Sequence, residues 1–145
     1  MPAHDSCVVQ MGAVATGGRA LGIIGPPGSG KSSLALALID RGARLIGDDG
    51  ATLSRDGAKL LIGPPPNIAG MIEVTGVGIM RLIPADPVPL ALVLDLGQSG
   101  ERLPGRIAQG EWLGTEIPVL AFDPGTIAPA IRAEHALTLH GLSFD

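Results

Sequence analysis

Apolar residues along this chain fall into short runs broken by glycine, proline and acidic pairs. Cys7–Ala15 and Ala20–Ile24 read as two strands joined at Thr16-Gly17-Gly18, a hairpin turn. The period then changes. Leu34, Ala35, Leu38 and Ile39 recur at helical spacing, which predicts a helix over Lys31–Arg41 with Gly42 as its C-terminal stop. Arg44–Gly47 is a short strand running into Asp48-Asp49. Ala51–Arg55 and Lys59–Ile62 flank Asp56-Gly57, a strong hairpin signal. Gly63–Pro66 breaks the pattern, so the chain up to Gly70 reads as loop. Leu90–Leu96 is an almost continuous apolar run of strand length, as expected for a strand buried on both faces. Pro118–Phe122 is a further strand candidate. Thr126–Leu139 reads as a helix, with Thr126 as N-cap and Pro129 tolerated in the first turn. These elements predict a single α/β domain: a mixed sheet with hairpins and flanking helices, rather than a regular doubly wound fold.

Composition narrows the function classes. At 145 residues the chain is one domain long, and it can bury roughly 68–70% of its unfolded surface without cross-links. Cys7 is the only cysteine, which excludes an intrachain disulfide and a cysteine-based zinc cluster. Tyrosine is absent and the aromatics are Trp112, Phe122 and Phe144, too few for a base-stacking surface. With a net charge of −4 and no basic run, neither nucleic acid nor an anionic membrane is an expected partner. No segment reaches the ~18 apolar residues of a membrane span, and no export signal is visible, so a cytoplasmic location is expected.

One motif carries the chemistry. Gly25-Pro26-Pro27-Gly28-Ser29-Gly30-Lys31-Ser32 fits G-x-x-x-x-G-K-[S/T] in full, after an apolar run and before a predicted helix. Glycines let backbone N–H groups converge on phosphate oxygens, and the helix N-terminus adds positive potential at the same point. Lys31 would hold the β- and γ-phosphates, and Ser32 would offer its hydroxyl to Mg²⁺, with Ser33 immediately behind. ATP and Mg²⁺ are therefore the expected cofactors. A phosphate loop does not say what receives the phosphoryl group; carboxylates must serve the metal and the acceptor. Two candidates stand at strand ends, Asp95 after Leu90–Leu94 and the pair Asp48-Asp49, and spacing alone leaves both open.

The segment from Gly25 to Asp49 resembles the HPr kinase/phosphorylase family, bacterial P-loop protein-serine kinases, because Leu45-Ile46-Gly47-Asp48-Asp49 follows the first helix at that family's distance. Ile72-Glu73-Val74-Thr75-Gly76-Val77-Gly78-Ile79 is similar to its Glu-x-Arg-Gly-x-Gly-Ile segment, and Glu101-Arg102-Leu103-Pro104 and Ile117–Leu120 match later landmarks. The resemblance covers nearly the whole chain and implies the catalytic domain alone, as in the short forms. It implies Asp49 as the group that takes the serine proton, Asp48 as an aid to metal or phosphate, and Glu73 as second magnesium ligand. It also implies His4 and Arg102 as further catalytic residues, and it reduces Asp95 to a strand-end carboxylate. The implied substrate is the phosphocarrier protein HPr or a paralogue, and the implied assembly is a homo-hexamer. A P-loop kinase of a small molecule and a non-catalytic nucleotide sensor are the alternatives. Two departures stand out. Thr75 replaces the usual Arg, and Asp123-Pro124-Gly125-Thr126 replaces a basic segment tied to phosphorolysis. His135, His140, Trp112 and Cys7 read as structural.

Overall fold

The computed structural model describes residues 6–100 and 104–144. His4, Glu101 and Arg102 lie outside the described residues. In chain order the elements are β1 (Ser6–Val9), β2 (Gly12–Thr16), β3 (Arg19–Ile24), α1 (Lys31–Asp40), β4 (Arg44–Gly47), β5 (Ala51–Asp56), β6 (Lys59–Gly63), β7 (Met71–Val74), β8 (Gly78–Arg81), β9 (Val88–Asp95), β10 (Ala108–Trp112), β11 (Thr115–Ala121) and α2 (Pro129–His140).

Among the described residues, nine strands form one mixed sheet. Its path runs β1-β5-β6-β9-β3-β2-β4, and β11 joins β9 and carries β10. β9 is the hub. Its first residues pair with β6 antiparallel, its length pairs with β3 in parallel, and Val93–Asp95 pair in parallel with β11. Leu90, Ala91, Leu92, Val93 and Leu94 are all fully buried, as the continuous apolar run predicts. Leu92 and Leu94 pack into the helix-side core with Leu34, Leu38 and Leu137. Leu90 and Val93 pack into the opposite core with Leu53, Leu60 and Ile62. Each such leucine contributes about 1.5–3 kcal/mol by leaving water.

Three sequence expectations change. Cys7–Ala15 is not one strand. It breaks at Gln10-Met11, so that β1 pairs with β5 while β2 pairs with β3 and β4. One unbroken strand could not serve two places in the sheet. Thr126 does not cap the last helix: α2 begins at Pro129, and its N-cap is Ala128, in the left-handed region at φ 44°. Two hairpins are additional. β7–β8 forms a separate two-stranded sheet, and β10–β11 turns at Leu113-Gly114, both with positive φ. The other hairpins follow the turn chemistry in the sequence. Gly17 and Gly18 both adopt positive φ between Thr16 and Arg19, and Gly57 does so after Asp56.

Candidate functional site

β3 and β9 run in parallel, with Ile24 opposite Asp95 and the Leu96 N–H donating to the Ile24 carbonyl. The glycine loop leaves β3 at this end and enters α1. Gly30, the N-cap of α1, has φ 97° and provides no side-chain cap, and the first turn holds no acidic residue. The first N–H groups of α1 therefore face the loop with no acidic side chain of the helix's own first turn beside them. Lys31 Nζ folds back onto the loop, donating to the carbonyls of Gly25 (2.6 Å) and Pro26 (3.2 Å).

β4 delivers Asp48-Asp49 beside the start of α1. Gly47 is needed at this corner, because a Cβ there would sit on the Gly50 carbonyl oxygen. Both oxygens of the half-buried Asp48 are engaged. Ser32 Oγ donates to Oδ1 at 2.6 Å, and the Glu73 backbone N–H donates to Oδ2 at 2.9 Å. One carboxylate thus ties the start of α1 to β7. The β7–β8 hairpin is seated by Ile72, which is buried in the helix-side core, while the next residue, Glu73, is exposed. A cleft of about 400 Å³ results, lined by the loop residues Pro27, Gly28, Gly30, Lys31, Ser32 and Ser33 and by Asp48, Asp49, Glu73 and Thr75.

A second cleft of about 360 Å³ adjoins it, lined by Gln10, Gly25, Pro26, Pro27, Lys31 and Asp49. Lys31 and Asp49 belong to both. Sequence reasoning missed Gln10. It stands at the break between β1 and β2, and nothing in the apolar pattern marked a break there. Asp95 is not part of either cleft. It accepts from the Gly97 N–H (2.9 Å) and from Gln98 Nε2 (2.8 Å), and lines a separate cavity of about 210 Å³ with Gln98, Ser99 and Arg106. The structure therefore brings together Lys31, Ser32, Asp48, Asp49 and Glu73, and sets Asp95 apart.

The donors fit a hard divalent cation. A hydroxyl and acidic side chains of one cleft are oxygen ligands of the kind Mg²⁺ prefers. Among the described residues no three His, Cys, Asp or Glu side chains close a protein-only metal cage. No helix among the described residues is long and apolar enough to cross a membrane.

The fold and cleft define an α/β protein in which a glycine loop between a parallel strand and a helix faces a carboxylate pair. The HPr serine kinase C-terminal domain matches residues 10–84, just over half of the chain, and the chain belongs to that family. His4 and Arg102 both lie outside the matched segment. The HPr kinase/phosphorylase of Clostridium botulinum is 51% identical over 59 residues, 40% of this chain and 19% of its own length. HPr kinase/phosphorylase 1 of Oceanobacillus iheyensis is 42% identical over 62 residues, 42% of this chain and 20% of its own. The chain spans about a fifth of the curated relatives it matches. The HPr(Ser) kinase/phosphatase structure from Coxiella burnetii superposes with a TM-score of 0.74 at 24% identity, covering 92% of each chain, and shares the fold.

Proposed function

We propose that residues 1–145 form a single P-loop catalytic domain that transfers the γ-phosphoryl group of ATP to a serine of HPr or a paralogous phosphocarrier. The observation that carries this reading is that Lys31 and Asp49, together with Pro27, line both of two adjoining clefts. One cleft holds the helix N-terminus, Ser32, Asp48 and Glu73, and suits the nucleotide. The other suits the acceptor. Gly25, Pro26, Pro27, Gly28, Ser29, Gly30 and Ser33 complete the phosphate cradle. In the transfer, the serine oxygen bonds to the γ-phosphorus as the bond from that phosphorus to the β–γ bridging oxygen breaks. The serine proton passes to the Asp49 carboxylate. Asp49 is exposed and accepts from no other group in the described hydrogen-bond network, which leaves its oxygens available for this role. Lys31 leaves its loop carbonyls to neutralise the phosphate oxygens.

Mg²⁺ fits at Ser32 and Glu73, with Asp48 orienting the Ser32 hydroxyl. Bound there, it would draw negative charge off the phosphates. Arg102 and His4 are further proposed participants by family resemblance. A cytoplasmic homo-oligomer, a hexamer by the same resemblance, agrees with the exposed Val77, Ile79, Met80 and Ile83 on and beside the β7–β8 hairpin.

The test is incubation of the chain with labelled ATP, Mg²⁺ and HPr. Phosphoserine on HPr is the expected product, and Lys31→Ala abolishes it. Label on a metabolite with none on HPr would make the chain a small-molecule kinase. Binding of ATP without transfer to anything would make it a sensor.

A further inference from the structure

We infer that Arg132, on α2, is a positioning residue for the phosphate loop, acting through the segment Phe122–Ala128. The inference rests on the nucleotide-site reading above. Its guanidinium donates from Nε to the Ile127 carbonyl (2.9 Å), from Nη1 to the Asp123 carbonyl (3.0 Å) and from Nη2 to the Pro124 carbonyl. Its carbon centre also lies 4.9 Å from the centroid of the Phe122 ring. Three backbone carbonyls and an aromatic ring thus converge on one cation, which only a planar fork of donors can satisfy together.

The pinned segment approaches the loop at Pro124. A Cβ built on Gly30 would lie 3.6 Å from Pro124 Cγ, so the proline ring lies along the bare face of the last loop glycine. Gly30 is the N-cap of α1, where the phosphate-facing N–H groups begin. The other end of the segment is Ala128, held at φ 44°, a conformation that L residues resist. A segment with an unfavourable backbone at one end and four contacts to one arginine is held in place by that arginine. Releasing it frees Pro124 from Gly30 and loosens the cradle before any nucleotide arrives. Arg132 needs no contact with nucleotide to do this.

The experiment compares wild type, Arg132→Gln, Arg132→Lys, Pro124→Ala and the Arg132→Gln/Pro124→Ala double variant. ATP and ADP dissociation constants in Mg²⁺ are measured beside the thermal midpoint. Arg132→Gln is expected to weaken both nucleotides by about tenfold, the scale of losing charged hydrogen bonds. Lysine, a single point charge, should restore little of this. Pro124→Ala should weaken binding in the same direction, and the double variant should be no worse than Arg132→Gln alone, because both act through one contact. A folded Arg132→Gln with wild-type affinity overturns the inference, as does full rescue by lysine or additive losses in the double variant. If Arg132→Gln does not fold, Pro124→Ala decides by itself, and unchanged affinity there overturns it. A wild type that binds no nucleotide removes the site reading itself, and the inference with it.

Discussion

Asp48 and Asp49 are adjacent in sequence, yet the fold gives them opposite surroundings. Asp48 is half-buried and spends both oxygens on Ser32 and the Glu73 N–H; Asp49 is exposed and faces both clefts. Asp49→Asn keeps the volume but cannot take a proton. Single-turnover transfer is expected to fall by about 10²–10⁴-fold while ATP affinity holds. Asp48→Asn removes the charge and replaces one acceptor oxygen by a donor, so the Glu73 N–H keeps the amide oxygen while Ser32 can no longer donate to this side chain. The expected result is weaker Mg²⁺-dependent nucleotide binding, read by calorimetric titration with and without Mg²⁺. A normal Asp49→Asn beside an inactive Asp95→Asn would return the chemistry to the strand-end carboxylate. Gln10 makes a third test. Its neutral amide can both donate to and accept from a hydroxyl, and it lines only the second cleft. Gln10→Ala should raise KM for the phosphocarrier and leave the ATP dissociation constant unchanged. Equal KM values would make Gln10 a bystander.

At the scale of elements, the clefts are built from the loop after β3, the corner after β4, the exposed face of β7 and the break between β1 and β2. The turn before α2 stores unfavourable backbone at Ala128. An L residue there costs about 1–2 kcal/mol, and glycine gives back about 0.5–1 kcal/mol in chain entropy. Ala128→Gly should therefore raise stability by roughly 0.5–1 kcal/mol in urea unfolding, with the larger value expected because Ala128 is exposed and loses no packing. A destabilised variant would mean that α2 relies on that residue in some other way. Helix α1 and α2 are also joined by Arg41 and Glu134 at 2.8 Å. Both side chains are well exposed, so this pair contributes about 0–1 kcal/mol, and core packing between the helices does most of the joining.

For the whole molecule, the proposed kinase reading makes the balance of charge around the cleft the control on the direction of reaction. Thr75 lines the cleft at the position where the resembling segment carries Arg. Arg132, which holds the Asp123–Ile127 turn, is occupied with backbone carbonyls and the Phe122 ring. Phosphorolysis must gather inorganic phosphate beside an anionic phosphoserine, and cations are what would favour that. Forward transfer is therefore expected to exceed phosphorolysis clearly, measured as phosphoserine formed against pyrophosphate released from phospho-HPr. Equal rates in both directions would contradict the reading.

Local physics made much of this legible in advance. The Gly25–Ser32 loop, the period of α1, the buried β9 and the glycine turns of two hairpins follow from side-chain spacing and backbone freedom, which act within a few residues. Only the tertiary structure decided the rest. Ala128 as a cap and Leu113 in a tight turn run against intrinsic preference, so no local signal announces them. The break at Gln10-Met11 exists because β1 and β2 pair with different strands, a fact of the sheet and not of the segment. The different placement of Asp95 and of Asp48-Asp49 is of the same kind. Both stand at strand ends near the glycine loop, and what separates them is their surroundings: Asp48 and Asp49 line the cleft at the start of α1, while Asp95 accepts from Gly97 and Gln98 and lines another cavity. Hydrogen bonds from Ser32 and Glu73, 16 and 25 residues away, hold Asp48 in that cleft.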